Sequence, residues 1–402
     1  MSSNSNQLIK NWYYFPALIW FLISLIIGVW MRLEWHTPMQ HYFDIRNLIH
    51  AHSHAALLGW VYIVFAGFTL KHFIHLTMVI SVAKPMALTL HLSNVGMLIA
   101  FSLQGYAFWS ILFSTIHLIA TVWLAFLLLL RKDNRLSEIA MKFAGAAWLW
   151  LILSGFGPFA LAFTGGMASV WAQFWLGSYL YLLTNGWILF MMISILLHHL
   201  VKEENHPQLN FGFNLMYYTL PGSMLSMFYV LNFPIWVYWI GWFFNLAFAL
   251  GSILVLVSLF KSTLKYEGSK FLLYSGLFFL GLKTALQLIA FWPSLIELTS
   301  NHLLKVSFLH LFLLGCISLL IISLFYSDKH ENSKTISFSH LLIGLGTISM
   351  IVLLFMMAGL PLIGYFIFLP YQFLFALTGG LIVAGSLLIL RSNFQLTIYS
   401  NK

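Results

Sequence analysis

Residues 234–260 read PIWVYWIGWFFNLAFALGSILVLVSLF, a run without a single charged side chain. At about 1.5 Å per residue, a helix of this length crosses the roughly 30 Å hydrocarbon core of a bilayer. Similar runs recur along the whole chain. Hydrophobic residues make up 61% of its 402 residues and charged residues only 7%, against roughly 25% charged in an ordinary soluble domain. So few charges cannot cover a water-facing surface, and the sequence predicts an all-α polytopic membrane protein.

Twelve apolar segments are long enough to cross a bilayer. Short turns near Gly105 and Asn232 divide two pairs of them. We expect a single transmembrane helical domain over residues 1–402. The predicted spans cover residues 12–33, 48–70, 84–104, 106–130, 139–162, 169–200, 211–231, 234–260, 269–292, 302–326, 337–358 and 363–390.

Basic residues are concentrated on one side of this arrangement. Fifteen of the nineteen Lys and Arg fall at the N-terminus, after even-numbered spans or at the C-terminus. Because cytoplasmic loops are enriched in Lys and Arg, this predicts an even number of spans with both termini in the cytoplasm. We expect a bacterial cytoplasmic (inner) membrane protein whose partner is lipid. The formal net charge of +9 then reflects topology, and no nucleic-acid partner is expected.

A histidine-rich segment opens the second predicted span, where residues 49–60 read IHAHSHAALLGW. On a helix, His50 and His54 share one face, whereas His52 points about 200° away from His50. Because polar side chains inside a membrane are costly, three histidines here predict a role beyond packing. His50 and His54 could hold a metal ion such as copper, and His52 could face a different ligand.

A second candidate ligand, His310, lies in the tenth span within residues 308–315, FLHLFLLG. His52 lies about four residues into its helix and His310 about eight, so their depths differ by only about 6 Å. Two histidines from different helices at matched depth are what bis-axial haem ligation requires. Gly59 and Gly315 could let a macrocycle or a neighbouring helix approach closely. The alternative for His310 is an interhelical hydrogen bond.

Lys283 places an ammonium group within the ninth span. It could pair with Glu297 or another acid, line a proton path, or contact a cofactor carboxylate. Together with Gly59 and Trp60 it is a candidate cofactor contact. For His91 and His117, also within spans, hydrogen bonding to neighbouring spans is the favoured interpretation over a second metal or haem site. The single cysteine, Cys316, excludes a disulfide framework and a Cys-rich metal site.

At these residues the chain resembles the catalytic subunit of the haem–copper oxidase superfamily, which also has twelve spans with both termini inside. The stretch HSHAALLGW, residues 52–60, is similar to the H-T-N-A-V-I-F-G-F sequence of the cbb-type branch. The stretch FLHLFLLG, residues 308–315, resembles H-V-H-S-G-A-L-G. Residues 181–187, YLLTNGW, look like the Y-N-G-W motif of small oxidase-like membrane proteins. The resemblance implies that His52 and His310 bind one low-spin haem b.

The departures from that family concern its oxygen-reducing centre. Phe308 stands where the high-spin haem ligand would be, and a phenyl ring cannot bind iron. His198 and His199 end the sixth span on its cytoplasmic side, and the seventh span has no histidine. The arginine pair that holds haem propionates between the last two spans is also missing. The chain is thus similar to a shortened relative that keeps one haem site, and full oxygen reduction is not expected of it.

A second family shares part of the pattern. Haem- and copper-containing membrane proteins of the nitric-oxide response have about twelve spans and an H-A-H-E-M-L-x-G-F opening. His50, His52, Gly59 and Trp60 match that opening, whereas His54 and the residue before it depart from it.

Three functions remain open at this point. The first is electron transfer through a six-coordinate haem, supplied by a cytochrome, a quinol or a redox partner subunit. The second is sensing or detoxification of nitric oxide or oxygen at a five-coordinate haem or a copper site using His50 and His54. The third is a transporter without haem that uses intramembrane histidines and Lys283 as a proton relay. Whether the chain is an enzyme is left open.

Overall fold

The computed structural model of the chain describes residues 3–34, 43–73, 76–130, 137–164, 169–201, 207–263, 266–292, 295, 301–326, 333–363 and 370–399. Within these ranges the regular structure is helical, without β-strands. Long helices correspond to the twelve predicted spans and are called α1 to α12. They are Ser5–Leu33, Ile45–Phe73, Ser81–Gln104, Phe108–Leu128, Glu138–Leu161, Val170–Leu200, Pro207–Ser223, Ile235–Ser262, Lys270–Ala290, His302–Phe325, Lys334–Gly359 and Tyr371–Ser392.

Eleven of these helices are long and apolar enough to cross a membrane. The exception is α7, which has 17 α-helical residues and contains Pro221 near its end. Proline lacks the N–H that would continue the α-helical hydrogen bonds. The chain then tightens into a 3-10 helix of 8 residues, Met224–Leu231. The all-α, multi-pass membrane fold agrees with the sequence, and within the described residues the exact count of spans depends on this segment.

The two shortest predicted turns are present. Gly105 has φ +62° between α3 and α4, and Asn232 has φ 56° between α7 and α8. These left-handed conformations suit glycine and are tolerated by asparagine. A Cβ at position 105 would also lie 2.4 Å from the side chain of Asn47. Each turn therefore reverses the chain within a few residues, as the sequence predicted.

Within the described ranges, four helices contain π-helical segments, in which each N–H bonds to the carbonyl five residues earlier rather than four. They are Lys10–Tyr14 in α1, Ala55–Val61 in α2, Leu182–Ile188 in α6 and Leu311–Ser318 in α10. Segments of this kind frequently occur at functional sites. Two of them begin directly after His54 and His310. The π-helical segments therefore point to the same parts of α2 and α10 as the histidine pattern.

The contacts divide the chain into two compact units. The first comprises Met1–Asp133, Glu267–Gly276 and Leu303–Lys402. In it, α1 packs against α2 and α12, α2 packs against α3, and α11 packs against α12. The second comprises Asn134–Tyr266 and Leu277–His302. In it, α7 pairs with α8 and α5 packs against α6.

Large apolar side chains on the outer faces of the helices are exposed rather than buried. Leu103 on α3, Ile119 on α4 and Phe243 on α8 each expose 60% or more of their surface. In water such faces would drive aggregation, whereas in a bilayer they contact acyl chains. Lipid is therefore the environment that this surface fits.

Candidate cofactor site

His52 on α2 and His310 on α10 come together in the first unit. Their ring centroids are 6.4 Å apart and their planes differ by 14°. A first-row metal–imidazole bond is about 2 Å long and the ring centroid lies about 1 Å beyond the bonding nitrogen, so two imidazoles on opposite sides of one iron have centroids about 6 Å apart. The separation of these rings therefore fits a single iron between them.

A hydrogen bond holds each ring by its Nδ1 atom. His52 Nδ1 lies 2.8 Å from the carbonyl oxygen of Ser24 on α1. His310 Nδ1 lies 2.8 Å from the carbonyl oxygen of Val306, one turn earlier in α10. A carbonyl only accepts hydrogen bonds, so a neutral ring carries its proton on Nδ1 and has its lone pair on Nε2. Metal-binding histidines are commonly oriented by such a bond, with the other nitrogen left for the metal.

Both histidines are half-buried, so part of each side chain remains accessible. A ligand held between the two rings would have to reach them through that accessible side.

Helix α1 supports His52 from one side. Ser24 supplies the carbonyl that binds the ring, and Gly28 lies one turn further along the same face. A Cβ on Gly28 would lie 3.2 Å from His52 Cε1. The missing side chain thus allows the imidazole to lie against the helix. Neither residue carries a sequence signal of its own, because the serine contributes only its backbone.

A buried hydrogen bond connects α2 to α10 deeper in the first unit. Trp60 Nε1 donates to Ser318 Oγ over 2.9 Å, and the Ser318 hydroxyl donates to the Leu313 carbonyl over 2.8 Å. The Trp60 ring also stacks on Phe21 of α1, with centroids 4.7 Å apart. This contact joins the π-helical segments of the two helices and fixes their register. Trp60 therefore holds together the helices that carry the two histidines.

Gly59 serves a close approach between helices. A Cβ at this position would lie 2.8 Å from the ring of Trp20 on α1. Of the two roles that the sequence allowed, the structure shows the approach of a neighbouring helix. Gly315 is buried.

His50 and His54 pack against aromatic rings. His54 stacks on Phe101 with centroids 4.2 Å apart, and His50 meets the edge of Tyr106 at 4.6 Å. The Nδ1 of His54 bonds to the His50 carbonyl over 2.9 Å. Within the described residues, no group of three or more His, Cys, Asp or Glu side chains could hold a metal ion. The two histidines share a helix face, as the sequence predicted, and aromatic packing surrounds them.

Two other intramembrane histidines have local partners in the first unit. His91 lies between Trp20 Nε1, 3.1 Å from its Nδ1, and the Trp12 carbonyl, 2.9 Å from its Nε2. His117 is 2% exposed, and its Nδ1 lies 3.4 Å from Thr121 Oγ1. The His91 contacts agree with the favoured interpretation of hydrogen bonding to a neighbouring span, whereas the His117 contact lies within α4 itself.

Lys283 belongs to the second unit, where its ammonium donates a short hydrogen bond to Asn185 Oδ1 on α6. The residue is 1% exposed. Glu297, the acid suggested as a partner, lies outside the described residues. Sequence reasoning proposed neither this pair nor a role for Asn185 as an acceptor, because 98 residues separate the two in the chain.

A buried polar cluster accompanies this pair in the second unit. Tyr181 Oη lies 2.7 Å from Ser223 Oγ and donates to Asn245 Oδ1 over 2.8 Å. Gln287 Nε2 donates to both Tyr181 Oη and Asn245 Oδ1, over 3.3 and 3.2 Å. These bonds connect α6, α7, α8 and α9. The motif at residues 181–187 thus contributes to a network that joins four helices.

Phe308 and His199, which the sequence analysis compared with the ligands of an oxygen-reducing centre, also bear on the chemistry. Phe308 lies on α10 two residues before His310, and its phenyl ring offers no metal ligand. His199, at the end of α6, bonds through Nδ1 to the Ile195 carbonyl over 2.9 Å. Within the described residues, His52 and His310 remain the two imidazoles from different helices whose spacing suits one iron.

No protein-family model and no curated protein matches the chain. The case for a cofactor therefore rests on the geometry of His52 and His310 and on the short motifs that contain them.

Proposed function

We propose that this chain is an integral membrane haem protein in which His52 and His310 bind the iron of one low-spin haem b. The observation that carries the proposal is the near-parallel pair of imidazoles 6.4 Å apart. Each Nδ1 bonds to a backbone carbonyl, which directs the Nε2 lone pair to a ligand. Zinc also binds imidazole, but its sites usually have three or four protein ligands, and within the described residues no group of three or more His, Cys, Asp or Glu could hold a metal ion. A haem needs only two ligands from the protein.

Electron transfer is the function that such a site supports best. His52 and His310 would together occupy the iron's remaining coordination sites, so oxygen or nitric oxide would have none to bind, and the haem would supply one-electron redox chemistry. The contribution of the protein is to fix both rings, exclude water and set the potential through an apolar shell. The donor would be a quinol, a cytochrome or a redox partner subunit. The chain is then an electron carrier rather than an oxygen reductase.

We further propose that the chain crosses a bacterial cytoplasmic membrane twelve times with both termini inside. The α7 helix and its 3-10 extension have 17 and 8 residues. At rises of about 1.5 and 2.0 Å per residue they reach about 40 Å, which exceeds the roughly 30 Å hydrocarbon core. Reporter fusions at residues 205, 264 and 402 should all report the cytoplasm. Opposite locations for the fusions at 205 and 264 would show that α7 does not cross, and would refute the count of twelve.

The central test is the haem content of the purified protein. We expect a pyridine haemochrome spectrum of haem b, one haem per chain, and no spectral change when carbon monoxide meets the reduced protein. His52→Ala and His310→Ala should each lose the six-coordinate bands. Added imidazole should restore those bands in either variant, because it replaces the missing ligand and not a structural contact.

His54→Gln is the matched control, since His54 lies on the same helix and packs against Phe101. It should keep the haem bands. Absence of haem from the wild-type protein, or unchanged bands in both alanine variants, would refute the proposal. Carbon monoxide binding together with loss of haem in His54→Gln would favour the gas-binding alternative.

A further inference from the structure

Three residues of α1 form a ladder that begins at the haem ligand His52. Ser24, Gly28 and Arg32 are spaced four residues apart, so they share one face of the helix. The carbonyl of Ser24 binds His52 Nδ1 and Gly28 lies against the His52 ring. Arg32 therefore lies one turn beyond the ring, about 6 Å further toward the end of α1. Arg32 thus lies on the face of α1 that contacts His52, one turn beyond Gly28.

The guanidinium of Arg32 is held in place by an aromatic ring. Its Cζ lies 4.7 Å from the ring centroid of Phe375 on α12, and that phenylalanine is fully buried. A guanidinium that rests on an aromatic face keeps the N–H groups at its edge available for hydrogen bonds. Phe375 therefore orients Arg32 without using its donors.

The charge of Arg32 has no acidic partner among the described residues, in contrast to the Arg46–Asp44 ion pair at the start of α2. Arg32 is half-buried and lies one helical turn beyond Gly28, whose Cα side faces the His52 ring. A cation near the membrane interior is costly and normally pairs with an anion. Two neutral imidazoles do not supply one, whereas a carboxylate on a ligand held between them would.

We propose that Arg32 binds a carboxylate of the cofactor that His52 and His310 hold. This inference rests on the proposed haem function, since a haem carries two propionate carboxylates at one edge of its ring. A guanidinium presents paired donors that match a carboxylate. Arg32 would thus fix the rotation of the macrocycle about the axis between the two histidines, with its acidic edge toward the end of α1.

The experiment compares haem b with its dimethyl ester, which has the same iron and ring but no carboxylates. Wild-type apoprotein, Arg32→Gln, Arg32→Lys and Arg46→Gln are each titrated with both compounds. Wild type should prefer the free acid by about tenfold, which corresponds to about 1.4 kcal/mol. Arg32→Gln should bind both compounds equally. Arg32→Lys should keep part of the preference, because it retains the charge and loses the paired donors.

Arg46→Gln is the control, because Arg46 is an exposed arginine at the same end of the molecule and already pairs with Asp44. It should keep the full preference. A second readout is the midpoint potential, which should fall in Arg32→Gln because a positive charge that favours the reduced iron has been removed.

The outcomes separate the two proposals. A wild-type protein that binds neither compound with bis-histidine bands defeats the haem function itself. Normal haem bands with an unchanged acid preference and potential in Arg32→Gln defeat only the role of Arg32. If Arg32→Gln does not fold, an Arg32→Lys protein that prefers the free acid exactly as wild type does would also count against the paired guanidinium contact.

Discussion

Two groups of polar side chains that pack between the helices can be compared. They differ in which donor and acceptor atoms remain without a hydrogen bond. In the first unit, the hydrogen bonds of His52 and His310 within the described residues use only Nδ1. In the second unit, the hydroxyl and amide groups of Tyr181, Asn245 and Gln287 bond mainly to one another. The first arrangement keeps a ligand atom on each ring, whereas the second consumes most of its donors and acceptors internally.

The histidine pair of the first unit is the candidate binding site, and the hydrogen bonds of the second unit form a network that joins helices. Polar networks that close on themselves join helices and specify their packing, because each member would be costly to bury alone. Imidazoles oriented through one nitrogen are prepared to bind through the other. Spare capacity alone does not set the histidine pair apart, because buried atoms such as Gln287 Oε1 and His117 Nε2 also have no hydrogen-bond partner among the described residues. The pair differs in that its two rings come from different helices at a spacing that fits one iron.

The largest expected contrast comes from changing one residue in each group. His310→Ala should lower haem affinity by more than about 100-fold, because changes outside the first ligand shell already cost about 10- to 100-fold. Lys283→Met, which removes the hydrogen bond to Asn185, should keep full haem content. Haem per chain in purified protein measures both. Loss of haem in Lys283→Met with retention in His310→Ala would reverse the assignment of the two groups.

The second contrast concerns stability. Tyr181→Phe removes the hydroxyl that contacts Ser223, Asn245 and Gln287, and each hydrogen bond lost costs a net of about 0.5–1.5 kcal/mol. We expect the free energy of unfolding in detergent to fall by about 2 kcal/mol or more, with an unchanged haem spectrum. Tyr218→Phe is the control, since Tyr218 is 71% exposed on α7. Equal stability of the two variants would show that the network contributes little.

The sequence predicted more of the fold than of the contacts around the site. Long uncharged runs marked the helices, and the short turns at Gly105 and Asn232 were placed correctly because hydropathy falls there. The matched depths of His52 and His310 could also be read, since depth along a helix follows from residue number. Their approach to 6.4 Å needed the structure, because hydropathy does not fix the rotation of each helix.

The supporting residues were beyond sequence reasoning for physical reasons. Ser24 acts through its backbone carbonyl, so its side-chain type carries no signal. Arg32 carried no site prediction, because its distance from His52 depends on how α1 packs against α2. For Lys283 the sequence left open an acidic partner, a proton path and a cofactor carboxylate, and the structure gives it the neutral amide of Asn185. In each case the partner comes from a distant part of the chain.

A smaller effect is expected at the contact that joins α2 to α10. Trp60→Phe removes the hydrogen bond to Ser318, and the serine hydroxyl keeps its bond to the Leu313 carbonyl. The loss should be about 1 kcal/mol of unfolding free energy, the usual net value of one hydrogen bond. Trp123→Phe on the exposed face of α4 is the control. A double-mutant cycle with Ser318→Ala should give a coupling of similar size, and zero coupling would contradict the contact.

The smallest effect tests how closely α1 positions His52, the proposed haem ligand. In Gly28→Ala the new Cβ would lie 3.2 Å from His52 Cε1, so the ring must move by a few tenths of an ångström. Forcing a side chain off its preferred rotamer costs about 0.5–1.5 kcal/mol, and haem affinity should fall by about two- to tenfold. In Gly380→Ala on α12 nothing lies within 4 Å of the new Cβ, so that variant should bind haem as wild type does while gaining helix propensity. Titration with haem b and the absorption bands of the bound form measure the difference. Identical haem binding by the two alanine variants would show that contact with Gly28 does not constrain His52. The hydrogen bond from His52 Nδ1 to the Ser24 carbonyl would then be what α1 contributes to the orientation of the ring.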